Sequence, residues 1–322
     1  MQKNRIVVLG FLHTGSSAFY DAFEDMSSFS FIPFRGEYNH YREVNGLYDQ
    51  ACGLDNALRK RVRLKLLKTV VKFFLRTIYY LISLKYKEHK ELTFIQLLKI
   101  IRFYFIKAKQ ERKIKGAKNL EERINYINQL IDLEHGLFSK KGKTSIYAQP
   151  YLLEMDHDIL LKTFGDKYFH LFVTRDAFEQ FYDIEQQDYF FGPYEFREEY
   201  MFGRDVDGLL RRKYFCKTLL KRQNDLYKLF SLMPDRCLVY SYNSLIKDPD
   251  RFRINISSNF NCKISEHVVW TKLQPTKIRN NLGNSEFFKE KLFMKGYDEE
   301  LIELVSEIDK NYKVLENLNT QN

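Results

Sequence analysis

Four cysteines occur in 322 residues (Cys52, Cys216, Cys237 and Cys262), and none forms a C-x-x-C pair. That spacing excludes a zinc ribbon and a thioredoxin-type redox site. Scattered thiols without a secretory leader read as reduced cysteines of a cytoplasmic protein. Six prolines and 14 glycines are too few for a collagen-like or low-complexity chain. No run of 18 uncharged apolar residues occurs, so a simple transmembrane helix is not expected. Internal repeats and linker-like Pro/Gly/Ser tracts are also missing, and residues 1–322 read as a single domain.

What remains is a chain able to fold around a large core. Hydrophobic residues make up 44% and aromatics 16%, so neither disulfides nor a metal is needed for stability. The formal net charge is +10 and is unevenly placed. Residues 54–118 carry 19 Lys and Arg against 4 Asp and Glu, a local +15 that leaves the rest of the chain at −5. One segment therefore makes the protein basic.

The hydrophobic pattern alternates between strands and helices. Arg5–Leu9 (RIVVL), Phe29–Pro33, Thr144–Ala148, Tyr168–Thr174 and Arg236–Tyr240 are short β-branched and aromatic runs that predict buried parallel strands. Helices are predicted over 18–25, 118–137, 156–164, 177–187, 206–232 and 297–318, with Gly165 as a stop. Residues 34–49 read as a polar and aromatic loop, and 58–115 as two long basic helices. The fold class is α/β, a P-loop-type parallel sheet of about five strands flanked by helices, with a basic helical insertion.

The first strand runs into Gly10-Phe11-Leu12-His13-Thr14-Gly15-Ser16-Ser17 and then a helix. Unpaired backbone N–H groups at a helix start favour an anion, and glycines let the backbone approach it closely. Thr14, Ser16 and Ser17 add hydroxyl donors. The spacing is that of a Walker A loop, GxxxxGK[ST], with Ser16 where the lysine belongs. That lysine grips the β- and γ-phosphates in ATP and GTP enzymes, so its loss argues against an ordinary nucleotide kinase or GTPase.

A P-loop without the Walker lysine resembles the 5′-phosphosulfate loop of sulfotransferases that use 3′-phosphoadenosine-5′-phosphosulfate (PAPS). Three further stretches carry the resemblance. TSIYAQP (144–150) is similar to the family's third-strand segment, and YFHLFVTRDAFEQFY (168–182) to its 3′-phosphate segment. RCLVYSYNSLIKDPDR (236–251) is similar to its late strand, followed by Tyr-x-x-Leu and an Asp-Pro turn. The match spans residues 5–35 and 144–262 and leaves out the basic insertion.

The resemblance implies sulfuryl transfer from PAPS to a hydroxyl, with PAP as product and no metal. The acceptor it implies is a carbohydrate or a lipid-linked glycan. Gly10, His13, Thr14, Gly15, Ser16 and Ser17 would hold the phosphosulfate, and Arg175 the 3′-phosphate. His13 stands where the family places a cation beside the bridging oxygen, so it becomes a catalytic candidate. Asp183 replaces the family's Ser eight residues after the Arg, where a carboxylate repels phosphate unless protonated or turned away. The third-strand Lys is replaced by Ala148 or Gln149, and Lys277 and Arg279 are candidates to compensate. Glu37 and His40, just past the second strand, are the candidate bases for the acceptor hydroxyl. His157 reads as structural, and His89, His135, His170 and His267 lack metal-ligand spacing.

Within the insertion, Arg61, Lys65, Lys68, Lys72 and Arg76 recur at helical steps and fall in an arc of about 80° on an otherwise apolar helix. Segment 54–118 is thus either a helical lid with a solvated basic face or an interfacial segment, with 58–115 facing anionic lipid. The second case would place the protein on the inner membrane face. No nucleic-acid module accompanies the charge, and nucleic acid is not an expected partner. Two rivals to sulfuryl transfer are a non-catalytic fold relative docking on a membrane or partner, and a metal-dependent phosphotransferase with a degenerate P-loop.

Overall fold

A computed structural model describes residues 5–10, 14–32, 47–53, 102, 106–107, 109–148, 156–186, 208–273 and 284–318. The chain divides into two units, Met1–Asn39 with Ser139–Asn322, and His40–Phe138.

The first unit is built on five parallel strands: β1 (Arg5–Leu9), β2 (Phe29–Phe31), β3 (Thr144–Ala148), β4 (Phe169–Thr174) and β5 (Cys237–Ser241). Their order in the sheet is β2-β3-β1-β4-β5. β1 is central, with Val8 opposite Ala148 of β3 and Leu9 opposite Phe172 of β4. Alternation along each strand divides the core between two faces. Ile6, Val8, Ile146, Leu171, Val173, Leu238 and Tyr240 share one cluster with Phe19 and Phe23 of α1 (Ser16–Asp25). Phe252 of the later helix α8 (Pro249–Asn259) completes it, and its ring lies edge-on to Phe19 at 5.3 Å. On the other face Tyr147 meets Phe164, the last residue of α4 (His157–Phe164), at 6.4 Å. Side chains cover both faces, as the near-continuous apolar strands require.

Local chemistry sets the helix starts. Asp156 caps α4 by accepting from the Asp158 and Ile159 N–H groups. Gly165 after it has negative φ, and its lack of a side chain answers a close approach instead. A Cβ there would lie 2.4 Å from the Leu161 carbonyl oxygen. α5 (Ala177–Gln186) leaves β4, and α6 (Gly208–Leu232) leads into β5. The Asp-Pro pair expected as a turn is a helix start: Asp248 accepts from Arg251 N–H at 2.9 Å, and Pro249 opens α8. Before it, Ser241 caps the short α7 (Tyr242–Lys247). α9 (Ser285–Met294) was not expected from the sequence, whereas α10 (Glu299–Asn317) follows its 3–4 apolar spacing and buries Leu301, Val305, Ile308, Tyr312 and Leu315.

In the second unit, α2 (Leu47–Cys52) lies partly within the stretch read as loop, and α3 is Leu120–Phe138. Asn119 and Glu122 start α3 in capping-box fashion. Asn119 accepts from Glu122 N–H at 2.9 Å, and Glu122 accepts from Lys118 N–H at 2.8 Å. Arg123 ties the two helices by donating to the Ala51 carbonyl at 3.4 Å. Of the two basic helices expected over 58–115, residues 102, 106–107 and 109–115 are described, and they are helical. The basic stripe from Arg61 to Arg76 lies outside the described residues. Among the described residues no helix is long and apolar enough to cross a membrane.

Candidate functional site at the carboxyl edge of the sheet

β1 and β4 are neighbours, so the segments leaving their carboxyl ends are neighbours too. In parallel α/β sheets this edge is where ligands bind. The loop after β1 is tight. A Cβ on Gly10 would lie 2.4 Å from Thr14 Oγ1 and 3.5 Å from the Val173 Cβ of β4. Gly15 is the N-cap of α1 at φ +86°, a left-handed conformation that glycine adopts without a steric penalty. A Cβ at Gly15 would also meet Tyr242 Cδ2 at 2.4 Å. Both glycines are therefore required by space, and Gly15 by backbone as well.

This loop has the character of an anion seat. Among the described residues no side chain caps α1, and no acidic residue stands in its first turn, so the helix end keeps its partial positive charge. Ser16 and Ser17 open the helix. Thr14 is 1% exposed, and among the described residues its Oγ1 has no hydrogen-bond partner. A buried hydroxyl without a partner is costly unless something completes it.

Arg175 follows β4 and is held in place. Its Nη2 lies 2.6 Å from Glu179 Oε1 and 2.7 Å from Asp183 Oδ2. Arg175 is 6% exposed, Glu179 0% and Asp183 5%, so all three ions are inside the protein. The guanidinium also lies over the Tyr242 ring, 4.9 Å from its centroid. Burial works against the Arg175 charge, but Glu179 and Asp183 outweigh it and hold its pKa above the ordinary value. Asp183 is thus turned onto Arg175. Asp176 is engaged elsewhere, accepting from Glu179 N–H at 2.8 Å and from the Ser285 hydroxyl. Burial raises its pKa, and those hydrogen bonds only partly offset the rise. Next to it Thr174 Oγ1 donates to Glu316 Oε1 at 2.5 Å, and burial raises the Glu316 carboxyl as well.

Gly10, Thr14, Gly15, Ser16, Ser17, Arg175 and Asp183 therefore gather at one sheet edge. His13, Glu37, His40, Lys277 and Arg279 lie outside the described residues. Ala148 ends β3 as a buried methyl group opposite Val8. His157 is half-buried, and burial lowers its pKa. His170 is fully buried and pushed down to about 4, so it is neutral at pH 7. Among the described residues no cluster of His, Cys, Asp or Glu could hold a metal ion.

Two residues escaped sequence reasoning. Glu179 was legible, because Arg175, Glu179 and Asp183 are spaced four apart, as neighbours on a helix face are. Tyr242 was visible only as part of Tyr-x-x-Leu. Its position beside Gly15 depends on β5 standing next to β4, which no local pattern reports.

No family model and no curated protein matches this chain. Two solved structures are similar to it. The sulfotransferase domain of the Synechococcus PCC 7002 olefin synthase has 11% identity and a TM-score of 0.43, covering 92% of this chain and 96% of that one. The sulfotransferase domain of the curacin biosynthetic pathway has 13% identity and a TM-score of 0.45, covering 97% of each chain.

Proposed function

We propose that the chain is a sulfuryl transferase, passing the group from a nucleotide 5′-phosphosulfate, PAPS in the resemblance, to an acceptor hydroxyl on a carbohydrate or lipid-linked glycan. The observation that supports it most is the Gly10–Ser17 loop. It leaves the central strand, is shaped by two glycines that tolerate no Cβ, and carries the buried Thr14 hydroxyl without a partner among the described residues. The donor supplies an activated sulfuryl group. The chain supplies loop N–H groups and the Thr14, Ser16 and Ser17 hydroxyls to orient its anion. In this reading His13 serves as the cation for the leaving oxygen, and Glu37 or His40 takes the acceptor's proton. The basic segment 58–115 would bring the enzyme to an anionic membrane carrying such an acceptor.

The residues fit the two ends of PAPS unequally. The loop suits a phosphosulfate. Arg175 is engaged through Nη2 by two buried carboxylates, which would share that end of the guanidinium with a 3′-phosphate. That same observation favours a second reading, a fold relative that has lost nucleotide binding.

The test is calorimetric titration with adenosine 3′,5′-bisphosphate and with AMP, with ATP plus Mg²⁺ as control. Binding of an adenosine 5′-phosphate that is lost in Gly15→Ala supports sulfuryl transfer. Folded protein that binds neither nucleotide gives way to the non-catalytic reading, and binding of ATP alone to the phosphotransferase reading.

A further inference from the structure

We infer that residues 263–273 form a detachable strap, hinged at Asn261 and latched on Asp25, which opens as a unit while the sheet stays folded. The strap is independent of which anion the loop takes. It follows α8 and is neither helix nor strand. Asn261 turns the chain out of that helix at φ +47°, a left-handed conformation that asparagine tolerates better than most residues. Among the described residues, 263–273 make no backbone–backbone hydrogen bond. Two other forces close the strap. One is apolar: Ile264, Val268 and Trp270 pack against the core cluster of α1 and α8, and Leu273 is buried within it. Val269 between them is 78% exposed, so the strap is a single layer with water on its outer side.

The other force is polar and gathered at one point. Thr271 Oγ1 donates to Asp25 Oδ1 at 2.7 Å. The Lys272 and Leu273 N–H groups donate to Asp25 Oδ2 at 2.9 and 3.2 Å. Lys272 Nζ adds an ion pair with Glu24 at 2.7 Å. Elsewhere along the strap, the tie to the rest of the unit among the described residues is Arg253 Nη1 donating to the Ser265 carbonyl at 3.2 Å. A segment with few backbone hydrogen bonds and one main anchor belongs to the low end of local stability. The latch has an electrostatic reason as well. Glu24 and Asp25 end α1 with no basic residue in its last turn, where carboxylates face the negative end of the helix dipole. The strap brings them an ammonium and two N–H groups. It thereby caps the helix whose other end, at Gly15, carries the candidate anion seat.

Trp270 is the one tryptophan of the chain, and its buried indole Nε1 has no hydrogen-bond partner among the described residues, so packing alone seats it. Its emission and the exchange rate of its indole N–H therefore read the strap in the full chain, while exchange of the β1 and β4 amides reads the sheet. Asp25→Ala is expected to shift the emission to the red and to speed indole exchange on the order of ten- to a hundredfold, the worth of hydrogen bonds to a charged group, with the β1 and β4 amides unchanged. Lys272→Met removes only the ammonium and should speed it by no more than about fivefold. Asp25→Asn keeps one acceptor oxygen and decides the matter if the alanine variant unfolds. Loss of the bonds at residues 271–273 without strap opening would leave Trp270 untouched, so indole exchange at the wild-type rate in the Asp25 variants overturns the inference. Sheet amides that speed up in step with the indole overturn it too, because the strap would not open separately.

Discussion

The two halves of the candidate site handle charge in opposite ways. At β1 the loop carries no acidic residue, and among the described residues its helix end has no side-chain cap and its buried Thr14 hydroxyl has no partner. At β4 the cation is already matched, by Glu179 at 2.6 Å and Asp183 at 2.7 Å. One half presents a hydroxyl with no partner among the described residues, and the other presents a guanidinium whose Nη2 is already shared by two carboxylates. An arginine at a strand's carboxyl end is thus not sufficient evidence of a phosphate site. What its neighbours do with its charge decides.

The comparison breaks most sharply at Arg175. Arg175→Met leaves two buried carboxylates facing each other and is expected to cost about 3–5 kcal/mol in denaturant unfolding at pH 7. Next in size is Gly15→Ala, which forces a side chain into a left-handed backbone and against Tyr242. It is expected to cost about 1–3 kcal/mol. Tyr242→Ala in the same chain should recover the steric share, read as coupling in a double-mutant cycle.

Thr14→Val sharpens the contrast because its two effects have opposite signs. It removes a buried hydroxyl that has no partner among the described residues and should stabilise the free protein by up to about 1 kcal/mol. Affinity for AMP should nevertheless fall about tenfold, an effect that a purely structural threonine would not produce.

The smallest expected effect is a pH dependence on the β4 side. Burial raises the Asp176 and Glu316 carboxyls above their ordinary values of 3.8 and 4.5. A carboxyl with a raised folded-state pKa costs stability above that pKa, and the cost is relieved as pH falls through it towards the ordinary value. Wild type should therefore gain stability as the pH falls through that window. Asp176→Asn and Glu316→Gln should each remove their share of the gain in unfolding measured across acid pH.

The strands and most helices of the first unit were legible because their signals are local. RIVVL is an apolar run ended by Gly10, and α10 repeats its apolar residues at helical steps. The Asp248-Pro249 pair was misread because the same two residues open a turn or a helix, and only the following hydrogen bonds decide. At the site, the loop was legible from its two glycines. Asp183 was recognised as out of place beside a phosphate, but its partner was not. A charge on a helix announces its spacing, and whether it turns inward depends on what packs above it.

The carboxylate clamp on Arg175 also bears on how fast a ligand arrives. A guanidinium with two carboxylates within about 3 Å projects little attraction into solution, so Arg175 by itself is a weak long-range lure for an anion. Among the described residues, capture then rests on short-range hydrogen bonding at Gly10 and Thr14–Ser17. The association rate at this edge is expected to be modest and to change little with added salt, while selectivity is expressed in how long the ligand stays.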